Sequence, residues 1–248
     1  MAQAIVTGFL RKQVLPATSL YACANRWDKL QKTTSKMGIH ACKTVEELVE
    51  FSDIIVIAVK PYMIPEVMEP VKQKLKGKMV ISLAAGYCFE KYEQIFVSGT
   101  HHISTIPNTP VSIGEGIFVC EQTHSLTEEE VCIFEEIFSK IAIIEFVDTK
   151  LLSVAGTVSG CGPAFVSMFL EALGDAGVKY GLSRDVAYRL AGQMIAGTGK
   201  LQVETGSHPA AMKDAVCSPG GTTIKGVSAL ERNGLRSAVI EAIDAIEG

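Results

Sequence analysis

Between residues 19 and 147 the chain alternates short β-branched runs with amphipathic helical stretches, and from Lys150 onward the strand signals stop. Alternation of this kind marks βαβ units, whose crossover helices cover both faces of a mostly parallel sheet. The remainder is Ala-rich and helical, punctuated by Gly and Pro. The chain therefore predicts an α/β fold with two parts. Residues 1–148 form a doubly wound, Rossmann-like sheet domain and residues 149–248 an all-α domain, and 248 residues suffice for two modest cores.

In the first part, SLYACAN at 19–25 and DIIVIAV at 53–59 read as strands, the second so continuously apolar that it fits a central strand covered on both faces. WDKLQKTTSKMG reads as a helix ending at Gly38, and MVISLAAG at 79–86, HHISTIP, GIFVC and AIIEFVD as further strands. The acidic run after Thr127 starts another helix. In the second part, Pro163 within SGCGP should kink or break the first long helix, Ser183 is an N-cap candidate, and TTIKGVSALERNG and LRSAVIEAIDAI supply two later helices. The apolar stretch 163–173 contains Glu171, with Asp175 just beyond, so it reads as a buried helix and not a membrane anchor.

Hydrophobic residues make up 48% and charged residues 20%, an apolar surplus suited to an oligomer interface. A net charge of -4 and a pI near 5.8 give no electrostatic footprint for nucleic acid or an anionic membrane. Seven cysteines, odd in number, widely spaced and without C-x-x-C, suggest reduced thiols in the cytoplasm and no zinc site. His208, before Pro209, reads as a turn residue, and no histidine is arranged for a nucleophilic triad.

Doubly wound sheets bind ligands beyond the carboxyl ends of their strands. Asn25 and Arg26 follow the first strand candidate, where an Arg receives the 2′-phosphate of NADP and an acidic residue would favour NAD; NADP (as NADPH) is the cofactor this favours, with NAD as second choice. An exposed Arg opening a helix is the plain alternative. Val59, Lys60 and Pro61 end the next strand, Ala84, Ala85 and Gly86 are small enough to admit a nicotinamide ring or a close helix, and Pro107, Asn108, Thr109 and Pro110 form a rigid turn.

In the helical part, Ser218, Pro219, Gly220, Gly221, Thr222 and Thr223 open a helix, so consecutive backbone N–H groups can face an anion at its positive end. An ordinary N-cap would use the same residues. The segment KDAVCSPGGTTI at 213–224, within ETGSHPAAMKDAVCSPGGTTIKGVSALE, resembles the signature of the pyrroline-5-carboxylate reductase family, and the similarity extends through SGCGPAFVSMFLEALGDAGVKYGLSRDVAYRLAGQ. VKP and PNTP are similar to that family's cofactor-side motifs, although Ser104 stands where the family usually carries Arg. The resemblance implies NADPH-dependent reduction of 1-pyrroline-5-carboxylate to L-proline. It assigns the substrate carboxylate to Ser218, Gly220, Gly221 and Thr222, the imine nitrogen to the catalytic Thr223, and a homodimer or higher homo-oligomer to the helical part.

In that family a strand and a glycine-rich turn lead into residues like 1–5, so the resemblance further implies a chain lacking both. The sheet would then lose a central member and expose two unpaired edges, and the pyrophosphate would lose its cradle of N–H groups. Two alternatives follow: a truncated, non-catalytic homologue acting as a dimeric ligand-binding protein, and a β-hydroxyacid dehydrogenase-like oxidoreductase.

Overall fold

The computed structural model describes residues 1–248. Helix α1 (Ala2–Arg11) comes first, and β1 (Tyr21–Ala22), α2 (Trp27–Met37), β2 (His40–Ala41) and α3 (Val45–Glu50) follow. Next come β3 (Ile54–Ile57), α4 (Ile64–Met68), β4 (Met79–Ser82), α5 (Phe89–Glu93), β5 (His101–Pro107), β6 (Gly116–Glu121), α6 (Glu128–Phe138) and β7 (Ala142–Val147). The strands form two separate sheets, a parallel pair β1-β2 and a five-stranded sheet in the order β3-β4-β5-β6-β7. All neighbours in the larger sheet are parallel except β5 and β6.

Two expectations are corrected here. The strand at 19–25 shrinks to two residues, because Ala17–Ser19 form a 3₁₀ turn and Cys23 already leaves the sheet. The strand at 53–59 is not central: β3 pairs with β4 alone and lies at the sheet edge. Its apolar run is nevertheless used on both faces. Ile55 and Ile57 join Val49, Ile64, Val80 and Tyr92 on one side, and Ile54 and Val56 pack toward Ile5, Ile81, Ile103 and Phe138 on the other. β1 and β3 each have an unpaired edge.

Helix caps follow the sequence chemistry. Gly38 closes α2 in the left-handed region, at φ 72°. Thr127 and Glu130 form a reciprocal capping box at the start of α6.

A polar cluster lies under α5. His102 is 1% exposed, its Nε2 is 2.8 Å from Glu93 Oε1, and its ring stacks on Phe89 at 4.7 Å. Burial lowers its pKa below the ordinary 6.5, with Glu93 opposing in part. The unfolded chain therefore takes up this proton more readily than the native one. The neutral ring's contribution is complete above about pH 6.5 and is lost as the pH falls below it. Melting temperature should fall on acidification through that range, and the slope should flatten in His102→Gln; an equal slope in both proteins would assign the acid loss to other groups.

Beyond β7 the chain is helical: α7 (Leu152–Gly156), a π-helical turn (Thr157–Cys161), α8 (Gly162–Lys179), α9 (Arg184–Thr205), α10 (Pro209–Ala215), α11 (Thr222–Arg232) and α12 (Leu235–Glu247). The break expected at SGCGP is realised as the π turn. Having no N–H, Pro163 cannot give the Ser159 carbonyl its i+4 helical bond, and the Asn108 amide donates to that carbonyl at 3.2 Å. Ser183 is the N-cap of α9, although its side chain makes no capping bond.

By packing, the molecule divides into residues Met1–Gly160 and Cys161–Gly248, twelve residues later than the composition change suggested. The stretch 163–173 is not buried: Val166, Met168 and Phe169 are exposed, and only Gly174 of α8 is buried. A helix apolar on most sides needs cover that this unit does not supply from within. Thr149–Lys179 is also long and apolar enough, by length and composition, to cross a membrane.

Candidate active site

Ligand-binding features occur in each unit. In the first unit, the parallel register Ile57↔Ser82↔Ser104 brings the carboxyl ends of β3, β4 and β5 to one edge. The residues following those ends are therefore assembled by the sheet. Lys60 is exposed and precedes a 3₁₀ turn at Pro61–Met63, with Val59 half-buried before it. Ala84 is buried, its N–H donating to Ser82 Oγ at 3.1 Å, while Ala85 and Gly86 are exposed. Gly86 has φ 76°, and a Cβ there would meet no atom within 4 Å, so Ala85 and Gly86 form an open rim, while Ala84 packs into the core cluster that holds Tyr92 of α5.

Pro107 and Asn108 are both buried. Asn108 is held at both ends by backbone, its Oδ1 accepting from Ile117 N at 3.0 Å and its Nδ2 donating to Ser159. Its bonds are thus those that fix the turn.

Asn25 and Arg26 follow β1, in the separate two-stranded sheet. Here an open depression of about 480 Å³ is lined by Asn25, Trp27, Lys43 and Thr44, with Cys23, Ala24 and Val45. Arg26 is exposed, serves as the N-cap of α2 and does not line it. The cation in the wall is Lys43, whose ammonium lies 5.8 Å from the centroid of the Trp27 ring. Burial, and then Glu46 and Glu47, push the Cys23 thiol above its ordinary value.

Trp27, Lys43 and Thr44 were not among the residues singled out from sequence. A signal for them did exist. Thr44 with Glu47 three residues on is a helix-start spacing, and the structure uses it: Thr44 Oγ1 accepts from Glu47 N at 3.2 Å, while Lys43 N donates to Glu47 Oε2 at 2.7 Å.

The donor set suits a dinucleotide. An indole face, an ammonium, an amide and a hydroxyl match a phosphorylated adenosine at one end, and the open Ala85–Gly86 rim matches a planar ring at the other.

In the second unit, Ser218 to Gly221 form a type II β-turn: Pro219 follows Ser218, Gly220 has φ 70°, and Gly221 N donates to Ser218 O at 3.0 Å. Gly221 is then the N-cap of the eleven-residue α11, and no side chain caps that terminus. A Cβ on Gly221 would sit 2.4 Å from Ser218 Oγ and 3.1 Å from the Ser218 carbonyl oxygen, so a side chain there would displace that hydroxyl from its present position. Thr222 and Thr223 occupy the first turn and are exposed. Together these residues present first-turn N–H groups and hydroxyls around a positive helix end, a carboxylate-binding arrangement.

Asp175, Glu171 and His208, other polar residues of this unit, either serve the local structure or face solvent. Asp175 pairs with Arg184, Glu171 is exposed, and His208 caps α10, its Nδ1 accepting from Ala210 N at 3.2 Å.

Two family models match the chain. One, described as NADP oxidoreductase coenzyme F420-dependent, covers residues 1–86, and the other, pyrroline-5-carboxylate reductase dimerisation, covers residues 149–247. Fold, ligand features and matches together define a dinucleotide-dependent oxidoreductase with a helical dimerisation region. A pyrroline-5-carboxylate reductase of Treponema pallidum is 44% identical over 99% of this chain and 94% of that protein, and the Escherichia coli one 36% identical over 98% and 91%. A Plasmodium falciparum pyrroline carboxylate reductase solved with NADP bound superposes with a TM-score of 0.86 at 31% identity, covering 98% of this chain and 90% of that one. This chain belongs to the pyrroline-5-carboxylate reductase family. These matches favour it over the β-hydroxyacid dehydrogenase alternative.

Proposed function

We propose that the chain reduces 1-pyrroline-5-carboxylate to L-proline with NADPH. The observation that carries this reading is the Ser218–Gly221 turn on the uncapped terminus of α11, shaped for a small carboxylate, in a chain whose other unit offers a dinucleotide donor set. Bound NADPH supplies a hydride to the imine carbon. The protein's tasks are to hold the carboxylate, orient the imine and admit a proton to its nitrogen.

The first-turn N–H groups, with Ser218, Gly220, Gly221 and Thr222, hold the carboxylate. Thr223 is the catalytic residue, its hydroxyl donating to the imine nitrogen and fixing the face presented for reduction. Val59, Lys60, Pro61, Ala84, Ala85, Gly86, Pro107 and Asn108 serve the nicotinamide side, and Asn25 and Arg26 the adenosine side. NADP is the expected pair, with NAD as the weaker substitute.

Residues 1–148 act as the dinucleotide-binding domain and 149–248 as the substrate-binding and dimerisation domain. A second copy of the chain, in a homodimer or higher homo-oligomer, covers the exposed apolar residues of α8 and α9, such as Met168, Phe169 and Leu190. The odd number of cysteines supports a reducing compartment, the cytoplasm. The net negative charge supports a small-molecule substrate over nucleic acid or an anionic membrane.

Purified chain supplied with NADPH and 1-pyrroline-5-carboxylate should consume the cofactor and release proline. Absence of turnover at saturating NADPH, combined with calorimetric binding of L-proline, would select the non-catalytic ligand-binding alternative.

A further inference from the structure

We infer that Lys43 is the residue by which this protein distinguishes NADPH from NADH, binding the 2′-phosphate in the depression whose wall it shares with the indole of Trp27. The inference rests on the reading that this end of the first unit takes the adenosine half of the dinucleotide. An Arg just past the first strand would ordinarily be expected to do this work. Arg26 occupies that place in the sequence, at the N-cap position of α2 with no side-chain capping bond, but it lies outside the lining, whereas Lys43 is within it.

Two features position Lys43. Its backbone N–H is clamped by Glu47 Oε2 at 2.7 Å, at the point where Thr44 starts α3, so the residue is anchored to a capped helix. Its ammonium lies 5.8 Å from the Trp27 ring centroid, which holds the charge over the depression.

The charges around the depression sharpen the argument. Glu46 and Glu47 lie close enough to raise the Cys23 thiol, so the local field is unfavourable to a phosphate unless a cation intervenes. Lys43 is the one cation in the lining, with Asn25 and Thr44 as neutral donors beside it. A nucleotide without the 2′-phosphate has no use for the ammonium and meets only the indole face and the neutral donors. Lys43 therefore discriminates between the two cofactors while contributing little to what they share.

The adenosine half can be tested alone. Trp27 is the single tryptophan of the chain, so its fluorescence reports directly on the depression. Full-length protein is titrated with adenosine 2′,5′-bisphosphate and with adenosine 5′-monophosphate, following Trp27 emission and, in parallel, calorimetric heat. Lys43→Gln should weaken the bisphosphate about tenfold or more, the size of a lost charge-assisted hydrogen bond, and change the monophosphate by less than about twofold. Lys43→Arg should restore most of the difference, and added salt should erode bisphosphate binding selectively.

In turnover, KM for NADPH should rise in Lys43→Gln with KM for NADH and both kcat values unchanged. Equal loss for both nucleotides, or no loss for either, overturns the inference. So does a selective loss in Arg26→Gln that Lys43→Gln lacks. Wild-type protein that binds the bisphosphate selectively yet fails to reduce 1-pyrroline-5-carboxylate would sink the reductase reading and leave the role of Lys43 standing.

Discussion

Replacing Gly8 by alanine should destabilise the first unit by about 1–3 kcal/mol, the scale of an overpacked core site. A Cβ at this position would lie 2.2 Å from the Val111 carbonyl oxygen and 3.2 Å from Ile141 Cγ2. The first obstacle is backbone and cannot rotate away. It is also pinned, because Val111 O already accepts from Gly114 N at 3.1 Å at the end of a 3₁₀ turn. Relief therefore requires α1 to move away from the sheet.

That movement would pull on Ile5 and Phe9, the two core side chains α1 contributes, and would part Phe9 from Phe138, now packed edge-on at 5.3 Å. Because α1 packs through Ile5 and Phe9 against Met79, Ile81 and Ile103 of the sheet whose strand ends carry the proposed nicotinamide side, affinity for NADPH should fall with stability. Urea unfolding followed by circular dichroism measures the first effect. A loss below about 0.5 kcal/mol would mean that the helix slides at no cost and that this close approach is not under strain.

Thr223→Ala should lower kcat by about a hundredfold, the usual range for one positioned donor acting on a reacting group. The side chain is exposed in the first turn of α11 and makes no hydrogen bond within the chain, so folding does not depend on it. Alanine is the better helix former, and the helix should if anything gain from the change.

The proposed role thus predicts a split readout, with kcat reduced, NADPH affinity unchanged, and Thr223→Ser recovering most of the activity by restoring the hydroxyl. A merely structural role would lower the melting temperature and would not distinguish serine from alanine. Kinetics equal to wild type in Thr223→Ala would remove the residue from the reaction.

Much of this was legible from residue order. The switch from alternating strand and helix to continuous helix near 148 announced two kinds of packing, and Gly38, Thr127 and Pro163 marked a helix end, a helix start and a helix break by chemistry that acts within a few residues. The SPGGTT turn was visible for the same reason: a Pro-Gly pair dictates a type II turn, and two small residues with two threonines leave a helix terminus open.

Other features depended on partners far along the chain. The place of β3 at an edge is set by which strands find one another, and its apolar run alone would suit a central position equally well. Exposure of α8 depends on what covers it, which residue order does not specify. Asn108 could have served a ligand or the backbone, and only the fold brings the Ser159 carbonyl, fifty-one residues away in sequence, within its reach.

Local chemistry by itself determined the two-part plan, the helix caps and the SPGGTT turn at the start of α11, since each rests on neighbours a few positions apart. Only the tertiary structure decided which cation joins the depression beyond β1, because Lys43 lies sixteen residues from Trp27 in sequence and meets it through the pairing of β1 with β2.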